Sequence, residues 1–225
     1  MQPTMRFAAL VESRGETIPL DVASALIAQC AAPDLRPDAV LAQLDALAET
    51  CPGYTLDALL PHLFGRGRFG PDREDYYDPR NSLIDRVLER RRGIPITLAV
   101  VGLEVGRRIG VPMAGVGMPG HFLLQDKVDR TVFIDPFDGG RLLREAECRH
   151  LFHQVTGGGS PWSSELLAPV GNLSIVTRML NNLRVVYSRR HDLGGLRWVM
   201  ALRAALPAPY GDEPGEFART MAPLN

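Results

Sequence analysis

The stretch Gly93-Ile94-Pro95-Ile96-Thr97-Leu98-Ala99 constrains the fold of this chain more than any other. Proline costs nothing in the first turn of a helix, where its missing N–H would have no intrahelical partner, so Pro95 marks a helix start. Gly93 just before it is expected to stop the preceding helix, because glycine accepts the left-handed conformation that helix C-termini use. From Pro95 to about Ile109, Leu98, Val101, Leu103 and Val105 alternate with the small residues Ala99, Gly102 and Gly106. That mixture predicts a central buried helix packed closely on a sheet.

Beyond it the period shortens. Residues 111–118, 121–128 and 131–134 are apolar runs broken by glycine and proline, and Asp126-Lys127-Val128-Asp129-Arg130 is a polar turn between the last two. They predict an antiparallel sheet of about three strands, with residues 141–143 at an edge. His121 is expected to begin one strand and Asp135 to end the next, which would set them side by side as a base and its orienting carboxylate. Two other roles stay open: His121 bonding Asp135 only to hold a loop, and Asp135 capping the turn of Asp135-Pro136-Phe137-Asp138-Gly139-Gly140.

The order of these blocks resembles that of transglutaminase-like and papain-like enzymes, in which a Cys at a helix start is activated by a His on one strand and oriented by an Asp or Asn on the next. In the transglutaminase-like pattern Gly-x-Cys-x-x-x-Ala, followed eleven residues later by Gly-Ile-Pro, Gly93 and Ala99 fall in place, and Gly110-Val111-Pro112 follows without a gap. Pro95 then occupies the Cys position. Together with Tyr77-Asp78-Pro79-Arg80-Asn81-Ser82, Pro119-Gly120-His121-Phe122-Leu123 and Asp135-Pro136-Phe137-Asp138-Gly139-Gly140-Arg141-Leu142, the chain is similar to the SirB-type family. That resemblance implies a transglutaminase-like core, a tetratricopeptide-like helical region after it, and a missing catalytic Cys.

The fold class expected is therefore α+β: a helical N-terminal subdomain (1–70), a transglutaminase/papain-like core with a small antiparallel sheet on a central helix (71–156), and a linker with a tetratricopeptide-like helical hairpin (157–225). Helical periodicity at 20–31 and near 40–48 and a Thr55-capped helix from Leu56 to Phe64 support the first segment. Residues 65–82 form a long charged loop. A helix is expected from Glu145 to Thr156, and two more between Leu173 and Leu206, separated by Arg190-His191-Asp192.

The nucleophile decides the chemistry. Losing it from a comparable triad lowers rates about a millionfold. Thr97 is the nearest hydroxyl, though a helical threonine tends to bond back to its preceding turn. Cys148 and Cys51 are the remaining thiols; Cys148 lies near His150 and His153 in a segment expected to be a surface helix. Arg80 has the fork geometry for a carboxylate, or else pairs with Asp75 or Asp78, and Asn81 or Ser82 suits a helix cap. Arg90, Arg91 and Arg92 are expected to close a helix.

The preferred expectation is a non-catalytic, regulatory protein that binds a peptide or protein segment at the cleft of Arg80, Asn81, Pro95, Gly120, His121, Phe122 and Asp135. The alternative is a thiol- or hydroxyl-dependent peptidase or amidotransferase with a relocated nucleophile. A third reading is a helical-repeat adaptor. With 25 basic and 26 acidic residues there is no whole-chain field for nucleic acid or an acidic membrane. No apolar run approaches the ~20 residues of a membrane span and the first residues carry Arg6, Glu12 and Arg14, so a cytoplasmic location is expected; three widely spaced cysteines argue for reduced thiols, and no phosphate loop or dense ligand cluster implies a cofactor or metal.

Overall fold

The computed structural model describes residues 2–211. The described residues form two compact units, one made of residues 38–170 and the other of residues 2–37 together with 171–211. The consecutive division at 70 and 156 is drawn differently from this grouping, because the second unit joins the two ends of the chain. The last part of the expected third segment, 212–225, lies outside the described residues.

The unit formed by the chain ends is helical. Helices α1 (Pro3–Arg14) and α2 (Leu20–Ala31) pack with α8 (Asn172–Arg189) and α9 (Leu193–Ala204). Asn172 donates to the Ile18 carbonyl (2.9 Å), and Ser24 reaches both the Leu20 carbonyl and Met179. The expected C-terminal hairpin is thus α8–α9, with Asp192 capping α9 by accepting from the Gly195 N–H at 2.9 Å. Helix α1 was not legible from periodicity, since it buries only Phe7 and Val11.

The larger unit is the α+β core. It contains α3 (Pro37–Glu49), whose first residue marks the unit boundary, α4 (Leu56–Phe64), α5 (Ile84–Arg90), α6 (Pro95–Arg108) and α7 (Glu145–Thr156). The sheet has five strands: β3 (Met113–Val116), β4 (Leu123–Asp126), β5 (Phe133–Asp135), β6 (Arg141–Leu143) and β7 (Pro169–Val170), in the order β6-β5-β4-β3-β7, all antiparallel. Strand β7 joins from a distant segment, which explains why local periodicity yields a smaller sheet. A separate parallel pair joins β1 (Gly70–Pro71) of the charged loop to β2 (Arg92–Gly93), which follows α5.

The sheet is covered on both faces. Strand residues alternate sides, so Leu124 and Met113 point at α6 while Leu123 and Val116 join Cys148 and Phe152 of α7 in a second apolar cluster. Helix α6 starts with Pro95 and is buried along most of its length. Its glycines set the spacing: a Cβ on Gly102 would stand 2.9 Å from Leu124, and one on Gly106 2.5 Å from Met113.

One boundary expectation is corrected. Helix α5 is stopped by Arg91, which takes the left-handed conformation itself (φ 54°), and not by Gly93. Gly93 is needed for space instead: a Cβ there would lie 2.8 Å from Thr97 Oγ1 and 3.2 Å from Val87. Gly93→Ala is therefore expected to destabilise the protein by about 1–3 kcal/mol through overpacking, read as a lower urea midpoint with unchanged slope.

Candidate functional site

The site is built by two short connections at the same end of the sheet. Between β3 and β4 the chain turns at Gly120 (φ 74°), where a Cβ would press on Val155 at 3.0 Å, so glycine is required both for conformation and for room. His121 follows in that turn, bonded through its N–H to the Met118 carbonyl (3.1 Å), and β4 begins only at Leu123. The expectation that His121 begins the strand is corrected accordingly. Its ring is buried, 6% exposed, and packs edge-on to Phe137 with centroids 6.0 Å apart.

Asp135 ends β5 and starts the one-turn 136–138 helix. Its Oδ1 lies 2.9 Å from His121 Nε2 and also accepts from the N–H groups of Phe137 (2.9 Å) and Asp138 (3.3 Å). One carboxylate oxygen therefore both orients the imidazole and caps the turn. Orienting and capping are two of the roles open from sequence, and they coexist.

Around Phe137 sits an aromatic and cationic surface that sequence reasoning did not assign to the site. Tyr76 packs edge-on to Phe137 (6.2 Å) and to Tyr77 (5.3 Å), and the Arg73 guanidinium lies 5.4 Å from the Phe137 ring centre. Both tyrosines are 40% exposed. The available signal was the Tyr76-Tyr77 pair immediately before Asp78-Pro79-Arg80-Asn81.

The other expected residues gather around the start of α6. Asn81 is fully buried; its Nδ2 donates to the Asp75 carbonyl (2.8 Å), and its Oδ1 accepts from Arg90 (3.0 Å). Thr97, also fully buried, donates to the Asn81 carbonyl (2.7 Å) and accepts from the Ile94 N–H (3.2 Å). Arg80 is exposed and paired with Asp78, and this guanidinium together with the Arg80 N–H holds the Asp78 carboxyl below its ordinary range despite burial. Arg90 is the last residue of α5, as expected, and its guanidinium also reaches back to Asp72 (2.9 Å). Pro95 and Phe122 are buried, so neither presents a surface to a ligand.

The three cysteines are free thiols. Helix α7 is the surface helix expected, burying only Cys148 and Phe152, and Cys148 lies on its inner face. Burial, reinforced by the carboxylates of Glu147, Asp135 and Glu145, pushes its thiol up to about 12; burial alone raises Cys30 to about 11. Cys51 donates to the Gly53 carbonyl (3.2 Å). His150 bonds Gln154, and among the described residues no group of three or more His, Cys, Asp or Glu is placed to hold a metal ion.

The sequence signature of the transglutaminase-like superfamily matches residues 27–181. The chain belongs to the transglutaminase-like superfamily. It is 37% identical over 207 residues to a UPF0162 protein of Xylella fastidiosa strain Temecula1, covering 84% of this chain and 70% of that protein. A UPF0162 protein of Vibrio cholerae is 32% identical over 153 residues, 65% of this chain and 53% of its own length. F-box only protein 21 of Mus musculus is 34% identical over 138 residues, 57% of this chain but 21% of that protein. No solved structure gives a significant match. Among the described residues, no helix is long and apolar enough to cross a membrane.

Two outcomes follow from the site's packing. Thr97→Val should cost about 1–3 kcal/mol by stranding buried partners, while Thr97→Ser keeps most of the stability; chemical denaturation of both checks this. The raised Cys148 thiol favours the neutral form in the fold, so its contribution is complete below 9.0 and is lost as pH rises toward about 12. At pH 8, iodoacetamide should label Cys148 at least about 100-fold more slowly in the native protein than in the unfolded chain, as followed by mass spectrometry.

Proposed function

We propose that this protein is a non-catalytic, SirB-type member of its superfamily that binds a peptide or protein segment in a regulatory role, on the face formed by Phe137, Tyr76 and Tyr77 with the buried His121–Asp135 pair beneath it. The observation that carries the reading is the His121–Asp135 pair, set 2.9 Å apart beside half-exposed aromatic rings while the residues offered as nucleophiles are committed elsewhere. In the family register Pro95 stands at the thiol position, and proline has no atom that can attack a carbonyl. The Thr97 hydroxyl is engaged with the Asn81 carbonyl, and the Cys148 thiol is held protonated in the core. An imidazole fixed by a carboxylate then supports Phe137 from within, beneath an aromatic surface suited to recognition.

Tyrosines offer large contact area at low entropic cost, which is why they concentrate at binding surfaces. The match to one fifth of F-box only protein 21 supports a module that works within different surroundings. Free thiols fit a reducing, cytoplasmic location. The α8–α9 hairpin, read as a tetratricopeptide-like unit, supplies a second helical surface.

The alternative, a peptidase or amidotransferase with a relocated nucleophile, draws on the same His121–Asp135 geometry. Binding separates the two. Peptides selected from a displayed random library should bind the full chain, and Tyr76→Ala and Phe137→Ala should each weaken them by about 5–10-fold with the urea midpoint of Tyr76→Ala unchanged. Fluorescence anisotropy reads the affinity. Selected peptides whose affinity ignores both changes would place binding elsewhere and end this reading.

A further inference from the structure

The β1–β2 pairing brings together two arginine-bearing segments that are far apart in sequence. Gly70 stands opposite Arg92 in the ladder, its N–H donates to the Arg91 carbonyl (3.1 Å), and a Cβ on Gly70 would lie 3.7 Å from an Arg92 guanidinium nitrogen. Arg68 and Arg66 lie two and four residues before Gly70, within reach of the same surface. All four arginines are exposed, and none of the four forms an ion pair with another described residue. Neighbouring charges behave differently: Arg80 is paired with Asp78, Arg86 with Glu89 and Arg90 with Asp72. Two carboxylates of this segment, Asp72 and Asp78, are therefore already neutralised by other arginines.

We infer that Arg66, Arg68, Arg91 and Arg92 form a docking surface for an acidic peptide segment of a partner protein. A guanidinium accepts a carboxylate in a two-pronged hydrogen bond, and several adjacent ones match a short run of Asp or Glu. With four arginines the patch is small, sized for a few separate carboxylate side chains and not for a continuous phosphodiester track. A chain with a net charge of −1 offers no wider basic field to hold nucleic acid. The surface does not depend on what the aromatic face around His121 binds, since its residues are distinct.

The probe is a fluorescein-labelled dodecapeptide of alternating glutamate and glycine, titrated with the full chain. It should bind with an affinity that falls as salt rises, and the lysine counterpart should not bind. The double change Arg68→Glu with Arg92→Glu should weaken binding by at least about 10-fold, whereas Arg149→Glu, on α7, should leave it within about 2-fold. Both variants carry exposed substitutions, and circular dichroism verifies their folding. The inference is overturned by absence of glutamate-peptide binding, by binding indifferent to the double reversal, or by tighter binding of a single-stranded DNA dodecamer.

Discussion

Asn81 is the buried polar group on which the arrangement of the core depends. Its N–H donates to the Asp78 carbonyl (3.0 Å), its amide nitrogen to the Asp75 carbonyl, its amide oxygen accepts from Arg90, and its own carbonyl accepts from Thr97. Those bonds join the charged loop, the end of α5 and the first turn of α6. A buried amide left unpaired costs about 1–3 kcal/mol per group, so the network holds its members in a single arrangement. Thr97 has its role here: the hydroxyl that sequence offered as a nucleophile is the pin between Asn81 and the helix that starts at Pro95.

From that anchored helix the rest of the site follows. Gly102 and Gly106 let α6 lie close on β3 and β4, and the 136–138 turn packs against the same helix. Asp135 is held at the mouth of the turn by the N–H groups it caps, and the same oxygen meets His121. A carboxylate with this many donors is a rigid anchor. The histidine is consequently well oriented, with an exposed aromatic cluster as its neighbour.

Much of this was legible from residues close in sequence. The Glu145–Thr156 helix and the start of α6 at Pro95 were read at their observed ends, because capping and periodicity are local. The His121–Asp135 pairing followed from strand order. What escaped depends on distant partners: β7 joins β3 from more than fifty residues away, and Gly93 is needed for room against Thr97 and Val87 while Arg91 takes the left-handed cap. The aromatic surface escaped for the same reason, since Tyr76 and Phe137 are brought together only by the fold.

The central claim is that the His121–Asp135 pair serves recognition without turnover. The most direct test is a sensitive assay of amide and ester hydrolysis and of amine transfer on peptide substrates, comparing the native chain with His121→Ala at equal folded concentration. The account predicts no turnover that depends on His121. Hydrolysis or transfer that is present in the native protein and abolished by His121→Ala would contradict it, and would identify an enzyme whose nucleophile lies outside the Pro95 position.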